Sequence, residues 1–554
     1  MKQIIDYLYF TKLYPMKKIL FAILLFSPLM LSAQSWQWAK SSGGINLDGC
    51  NSIAADASGN VYAVGYFFSP SITFGTFTLT NVDGGVCDDL FIVKYDIAGN
   101  VLWAKSAGES GYDEASSVSV DAEGNVLVTG FFSSHTITFG TTTLSNNGIN
   151  NVFIAKYDPS GNVIWAKSTG GTRDDAGIAI ATDATGDIYV TGAYTSPSIT
   201  FGTFNLTNYG GNDVFLAKYD SSGNVLWAKS AGGLNNDRPT SIATDLSGNI
   251  FVAGEYNSDS IAFGTTELVS GNMFLAKYDA TGNLNWVRNA GGNFADAVAT
   301  VTTDKTGNVI IAGYFAESSV IFGTTTLHNT GSIGSTDIFM VKYSTGGNVL
   351  WAKNEGTHGN DAATSVSADG SGNLYLTGYF GGNSIILSGI TFTNSGGNDL
   401  FVIKYDPNGN AEWANCHGGT GDDVANAITT DATGNVFIAG AFNSDTLNFG
   451  STNLTNATPT TSNTFLSKLS STEGTPSIMV EPEKAILYPN PVTNCLFISC
   501  TENITKIVIS NLMGQTIYNL QYHSRAVQVD ISELPSGVYF VEVNRKEVRK
   551  FVKQ

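Results

Sequence analysis

Short stretches of alternating or wholly apolar residues, none with helical periodicity, recur along residues 34–470 between clusters of Gly, Asn, Asp, Ser and Thr. One period is legible in residues 165–229. After Trp165 and a Gly-Gly loop ending at Asp175, the pattern predicts a first strand over 178–183, a turn, and a second strand over 187–194. An Ile199-Thr-Phe-Gly202 segment and a Gly-rich loop follow. A third strand is predicted over 213–219, apolar on both faces as in a sheet sandwiched between two others. The turn Asp220-Ser-Ser-Gly223-Asn224 then feeds a fourth strand over 225–229, which carries the next tryptophan.

The tryptophans fix the period. Trp38, Trp103, Trp165, Trp227, Trp286, Trp351 and Trp413 are separated by 65, 62, 62, 59, 65 and 62 residues, mostly inside a Trp-Ala-Lys string. Burying one indole removes ~150–250 Å² from water, worth up to ~4–6 kcal/mol at about 25 cal/mol per Å². Seven copies are therefore expected to pack neighbouring sheets together rather than to stack a ligand. Four short strands per period predict an all-β fold: a seven-bladed β-propeller of about 62 residues per blade. The first, second and third strands each occur seven times. One fourth strand, 36–40, precedes every first strand, and the last third strand, 465–469, has no successor. The N-terminal strand is thus expected to complete the seventh blade and remove the open edges.

The strings Gly-Gly-x-x-x-Asp, Ile-Ala-x-Asp-x-x-Gly-Asn-x-x-Val-x-Gly and Asp-x-Phe-x-x-Lys-Tyr-Asp-x-x-Gly-Asn-x-x-Trp resemble the SBBP-type β-propeller repeat of bacterial secreted proteins. That resemblance covers 34–470 and implies a fold and an extracellular setting without implying one activity.

The ends of the chain differ in character. Lys17 and Lys18, the apolar run Ile19–Leu31 and the small residues Ser32 and Ala33 predict a secretory signal peptide over 1–33, starting at Met16. No other apolar run approaches the ~20 residues of a membrane-spanning helix. Residues 471–484 read as a linker. From 485 onward short alternating strands carry more Lys and Arg, which predicts a small C-terminal β-sandwich. There Tyr488, Pro489, Asn490, Pro491, Gly514, Gly537, Tyr539 and Lys553 lie in strings that resemble the type A C-terminal sorting domain of type IX secretion. The resemblance implies a Bacteroidetes-type cell, export across the outer membrane by the type IX machinery, and display at the cell surface or release.

A formal net charge of −19 disfavours nucleic acid and anionic membranes as partners, since both require a basic face. Five cysteines leave at least one unpaired. Cys495 and Cys500, five apart in a strand, point to opposite faces, whereas a Cys50–Cys87 disulfide is a pairing the sequence permits.

The candidate chemistry sits in loops. Asp-x-x-Gly-Asn, as in Asp56–Asn60, is turn chemistry. At the other end of each period stands a ring of aspartates: Asp48, Asp113, Asp175, Asp237, Asp296, Asp361 and Asp423. Each third strand opens with Asp89, Asn151, Asp213, Asn272, Asp337, Asp399 or Asn463. Hard oxygen ligands so placed suit calcium. The competing reading, favoured by sevenfold recurrence, is that each Asp satisfies its own loop's amides and that no cofactor is held. Arg173, Arg238 and Arg288 fall near successive junctions and suit a carboxylate ligand, although Arg288 only replaces the usual Lys after Trp. His135, His328, His358 and His417 show no metal-ligand spacing, and no nucleophile elbow or phosphate loop is present. The expectation is a monomeric binding, adhesion or display module for an extracellular glycan or protein. The alternatives are a polysaccharide-active hydrolase or lyase, and a structural adhesin or gliding-motility component.

Overall fold

In the computed structural model, the described residues are 35–269, 271–290, 296–331, 334–387, 389–458, 460–470, 486–488, 491–511, 515–544 and 547–554. The signal peptide (1–33) and linker (471–484) expected from the sequence lie outside them. Every regular element among them is a β-strand. Among these described residues no helix is long and apolar enough to cross a membrane. The chain divides into two compact units, 1–474 and 475–554.

Among the described residues the first unit holds seven four-stranded antiparallel sheets, numbered 1–7 here by the order of their first strands. Sheet 3 shows the plan: Asp175–Thr182, Ile188–Tyr194, Asp213–Tyr219 and Val225–Ala231 pair in chain order. Its third strand is buried along its whole length, as its unbroken apolar run predicts. The first strand begins at Asp175 itself, three residues earlier than the pattern suggested, because that aspartate already pairs with Tyr194. A two-stranded hairpin, Ser198–Phe201 with Phe204–Thr207, fills the segment read as a loop, and each repeat has its counterpart. Strands of four residues are too short to show their period in sequence.

Neighbouring sheets are joined by the residues that recur. Trp103 Nε1 and Lys94 Nζ of sheet 1 both donate to Pro159 O of sheet 2, at 3.2 and 3.0 Å. Trp38 and Lys468 of sheet 7 make the same pair of bonds to Ile97 O of sheet 1, at 3.1 and 3.3 Å. The indole of Trp38 lies flat on Gly99, where a Cβ would come within 2.8 Å of the ring, and φ of +80° there also demands glycine. The tryptophans therefore staple sheets rather than line a site. Inner first strands are tied by hydroxyls as well: Ser52 Oγ accepts from Val118 N at 3.3 Å and Ser241 Oγ from Val301 N at 3.1 Å.

The N-terminal strand Trp36–Ser42 pairs antiparallel with Asn463–Leu469 as the outer strand of sheet 7. First strands touch in the order of the sheets, and Asp423–Thr430 of sheet 7 touches Asp48–Ala55 of sheet 1. Asn426 Nδ2 donates to Cys50 O across that last junction at 3.0 Å. Cys50 and Cys87 are free thiols, so the disulfide the sequence permitted is absent: Cys50 is buried inside its strand while Cys87 sits in a loop.

The second unit is one five-stranded sheet built on the long strand Cys495–Asn511, around a core that includes Leu496, Ile498, Ile507 and Phe551.

Candidate functional site

Seven loops at one end of the sheets carry the aspartate ring, and these carboxylates look inward. Asp175 Oδ2 accepts from Gly171 N at 2.6 Å and from Ser196 Oγ at 2.7 Å, while Oδ1 accepts from Ser196 N at 3.2 Å. Asp48, Asp113, Asp237 and Asp423 bind Ser69, Ser134, Ser258 and Ser444 in the same way. Asp296 accepts from Ala316 N at 2.9 Å. Asp361 accepts from Thr357 N at 2.9 Å, but Gly382 replaces the serine, and its Oδ1 has no donor. Burial pushes the Asp361 carboxyl up to about 6. Each of the seven stands in a different sheet, and among the described residues no three His, Cys, Asp or Glu side chains gather as a metal-binding group.

The residues opening the third strands sit behind this ring. Asp213 Oδ2 accepts from Tyr209 N at 2.8 Å, while Oδ1 has no donor and packs against Gly232, where a Cβ would lie 2.2 Å away. Gly108, Gly170 and Gly418 are pressed in the same way by Asp89, Asn151 and Asp399. The first glycine of each such loop is thus explained by a side chain 19 residues earlier, and the second, as at Gly171 and Gly233, by the serine that binds the loop aspartate. Burial raises Asp89 and Asp213 to about 7 and Asp399 to about 6.

One layer at this end does not repeat. The second residue of each first strand pairs across to the sixth of the second strand, giving Gly49–Tyr66, Glu114–Phe131, Ala176–Ala193, Arg238–Glu255, Ala362–Tyr379 and Val424–Ala441. In sheet 5 the pair is Ala297–Tyr314. Tyr66, Tyr314 and Tyr379 are half-buried, and their hydroxyls have no hydrogen-bond partner among the described residues. Burial raises the Glu255 carboxyl and Arg238 opposes that rise. Between sheets 1 and 2, Glu114 meets Asp88. Asp88 Oδ1 accepts from Asp113 N at 2.9 Å, while its Oδ2 meets no N–H or hydroxyl donor and faces the Glu114 carboxyl. Burial raises both groups, and the charge of Glu114 raises Asp88 further. One proton shared between them resolves the repulsion.

Of the three arginines, Arg173 and Arg238 are exposed on this face. Arg288 lies at the opposite end, where its guanidinium donates to Gly347 O at 2.8 Å and Gly346 O at 3.1 Å over the Trp286 ring, so the three form no clamp. Also at that opposite end, a recess of about 380 Å³ opens between sheets 5 and 6, lined by Asp304, Lys342, Trp351 and Pro407. These are repeat residues of the staple. His417 is half-buried, accepts from Trp36 Nε1 at 3.0 Å, and is held down to about 4 by desolvation.

Sequence reasoning missed Glu114, Asp88, Glu255 and the three tyrosines. Its only usable signal was the departure from the repeat at two positions, which register alone places side by side.

In the second unit Gly537 pairs with Lys553 and Tyr539 with Phe551 on adjacent strands, and Val492, next to Pro491, bridges to Lys553. The Tyr539 hydroxyl donates to Pro535 O at 2.8 Å, and Lys553 is buried. Tyr488 lies on the edge strand Ile486–Tyr488, while Pro489, Asn490 and Gly514 fall outside the described residues. Residues 486–554 match the model of the secretion system C-terminal sorting domain, and residues 226–261 match the β-propeller repeat. The chain joins a β-propeller repeat to a secretion sorting domain. That sorting domain marks it for export by type IX secretion to the cell surface or extracellular space.

The propeller-repeat chain is 25% identical over 520 residues to an uncharacterized WD repeat-containing protein of Acanthamoeba polyphaga mimivirus, covering 75% of this chain and 37% of the relative. It is 24% identical over 318 residues to the regulatory protein FlaEY of Caulobacter vibrioides, covering 53% and 33%. The chain thus spans about a third of the length of these relatives. Among solved structures, PorZ of Porphyromonas gingivalis, a surface component of the type IX secretion system, is matched at 11% identity and a TM-score of 0.22 over 93% of this chain and 100% of that one. The Pan2 WD40 domain of Neurospora crassa is matched at 10% identity and a TM-score of 0.34, over 76% and 88%.

Proposed function

We propose that the seven sheets are the blades of one closed seven-bladed propeller over residues 34–470, displayed outside the cell as a binding or adhesion module for an extracellular glycan or protein. A signal peptide (1–33) and a linker (471–484) flank it, and the sheet of 485–554 folds on itself as a small sandwich. The inner-strand contact between sheets 7 and 1 supports closure.

The observation that carries the binding reading is the layer of seven cross-strand pairs. Most of what recurs has a structural partner: tryptophan lies on glycine in six sheets, loop aspartate binds serine in five, and turn aspartate binds asparagine, while the third-strand openers such as Asp213 press a donorless oxygen onto a glycine. At the layer where the sheets differ stand free tyrosine hydroxyls, the Arg238–Glu255 pair and the Asp88–Glu114 pair. Aromatic rings with a few convergent polar groups are what a polar ligand requires. The aspartate ring then braces the loops, and Arg173 and Arg238 supply exposed cations on the ligand side.

Binding of the full chain to glycan and protein arrays, with turnover followed on each hit, tests this. A hit weakened in Tyr314→Ala/Tyr379→Ala supports the reading. Binding indifferent to that layer refutes it, and turnover would favour the hydrolase alternative.

A further inference from the structure

We propose that the junction of sheets 1 and 2 is a receptor for the ammonium group of a lysine presented by a partner protein, held at Glu114 and Asp88 beneath the rings of Tyr66, Phe68 and Tyr112. The inference deepens the loop-face reading and rests on it.

Three observations meet there. The first is uncompensated acid. Asp88 is fully buried with one carboxylate oxygen lacking a donor, and Glu114 is its half-buried neighbour. The titratable groups that interact with the pair are Asp113, Cys87 and Tyr66, with Asp83 beside Cys87 and Asp48 beside Tyr66, and all of them are neutral or negative. The site therefore satisfies itself with a proton, and a cation from outside replaces that proton.

The second is aromatic. Tyr66 packs edge-on against Phe68 with centroids 6.0 Å apart, and Phe68 against Tyr112 at 6.1 Å. Ring faces beside carboxylates favour an alkylammonium ion. Two carboxylates fall well short of the six to eight oxygens that calcium takes. The site is also built for its tyrosine: a Cβ on Gly49 would lie 2.7 Å from Tyr66 Cζ, so glycine there lets the ring lie across the inner strand.

The third names the bearer of the ammonium. Leu47, Val86 and Tyr112 stand within two residues of Asp48, Asp88 and Glu114, and with Ile45 and Val82 they are 49–75% exposed. An apolar rim around an acidic centre complements a protein surface whose lysine is flanked by apolar side chains. A free amine or an amino sugar would leave that rim unused.

The chain supplies its own control. Asn stands at the Asp88 position in three other sheets (Asn150, Asn212, Asn398) and Ala at the Glu114 position in three (Ala176, Ala297, Ala362), so Asp88→Asn/Glu114→Ala is expected to fold.

Calorimetric titration of the full chain with Nα-acetyl-L-lysine methylamide is expected to give saturable binding, weakened at least ~10-fold in the double variant and absent for the Nε-acetylated probe. Affinity should rise from pH 5.5 to pH 8, because the shared proton leaves as the ammonium enters. A pentapeptide with lysine between leucines should bind tighter than the bare amide. Equal affinity, or cadaverine or glucosamine matching the pentapeptide, overturns the protein assignment. Heat from calcium chloride but not from the lysine probes overturns the ammonium site, as does no heat from any probe. An array ligand whose binding survives the double variant leaves the loop-face reading standing while this inference falls.

Discussion

Replacing Asp213 by Asn should stabilise the propeller at pH 8 and leave it unchanged near pH 4. Asp213 is fully buried; one oxygen accepts from Tyr209 N and the other, pressed against Gly232, has no donor. Burial lifts its carboxyl from the usual 3.8 to about 7, the Tyr209 amide opposes the rise, and the charge of Asp237 adds to it. A folded-state value above the unfolded one means that the group's contribution is complete below pH ~4 and is lost as pH climbs through 7. About three units at ~1.4 kcal/mol each set a ceiling of ~4 kcal/mol by pH 8. A single unmet buried acceptor usually costs ~1–3 kcal/mol, so ~2 kcal/mol is expected. The amide keeps an oxygen for Tyr209 N–H and carries no charge, and Asn151 and Asn463 show that the place accepts it. For a domain of this size that is a melting-point gain of about 2 °C at pH 8, shrinking to nothing at pH 4.5. A shift of equal size at both pH values, or a loss at pH 8, would refute the burial argument.

His417 should behave in the opposite sense. Its folded value, about 4 against 6.5, makes its contribution whole above pH ~6.5 and lost as pH falls to 4, up to ~3 kcal/mol, as the imidazole loses its bond from Trp36. Melts of His417→Gln should lack that acid-side loss; an unchanged acid limb argues against it. Gly99→Ala combines a left-handed backbone with a Cβ driven into the Trp38 ring and should cost about 2–4 kcal/mol by chemical denaturation. Retention of wild-type stability would show that the indole is free to move. Removing residues 35–42 strips sheet 7 of its outer strand and its Trp38 staple, and a sharp fall in melting temperature is expected. An unchanged value would sink the closure reading.

The strand count, the third strand's full burial and the joining of the N-terminal strand to the last sheet follow from the tryptophan period and the apolar runs alone. These are local or periodic signals, and seven copies make each one legible. The four-residue hairpins were not legible, being shorter than the window in which a period of two shows itself. The reason for the Gly-Gly pairs was hidden too, since the atom that forbids a Cβ at Gly232 belongs to Asp213 on the neighbouring strand.

The sequence by itself determined that this is a repeating all-β chain with an export domain, because burying one face of each strand and stapling each sheet to the next leaves few alternatives. Which unlike residues stand side by side at the loop end was decided only by tertiary structure. Asp88 and Glu114 are 26 positions apart on different sheets, and only register and sheet packing bring their carboxyl groups together. Recurrence marks what joins one sheet to the next; the layer that departs from it is set by where folding places unlike residues side by side.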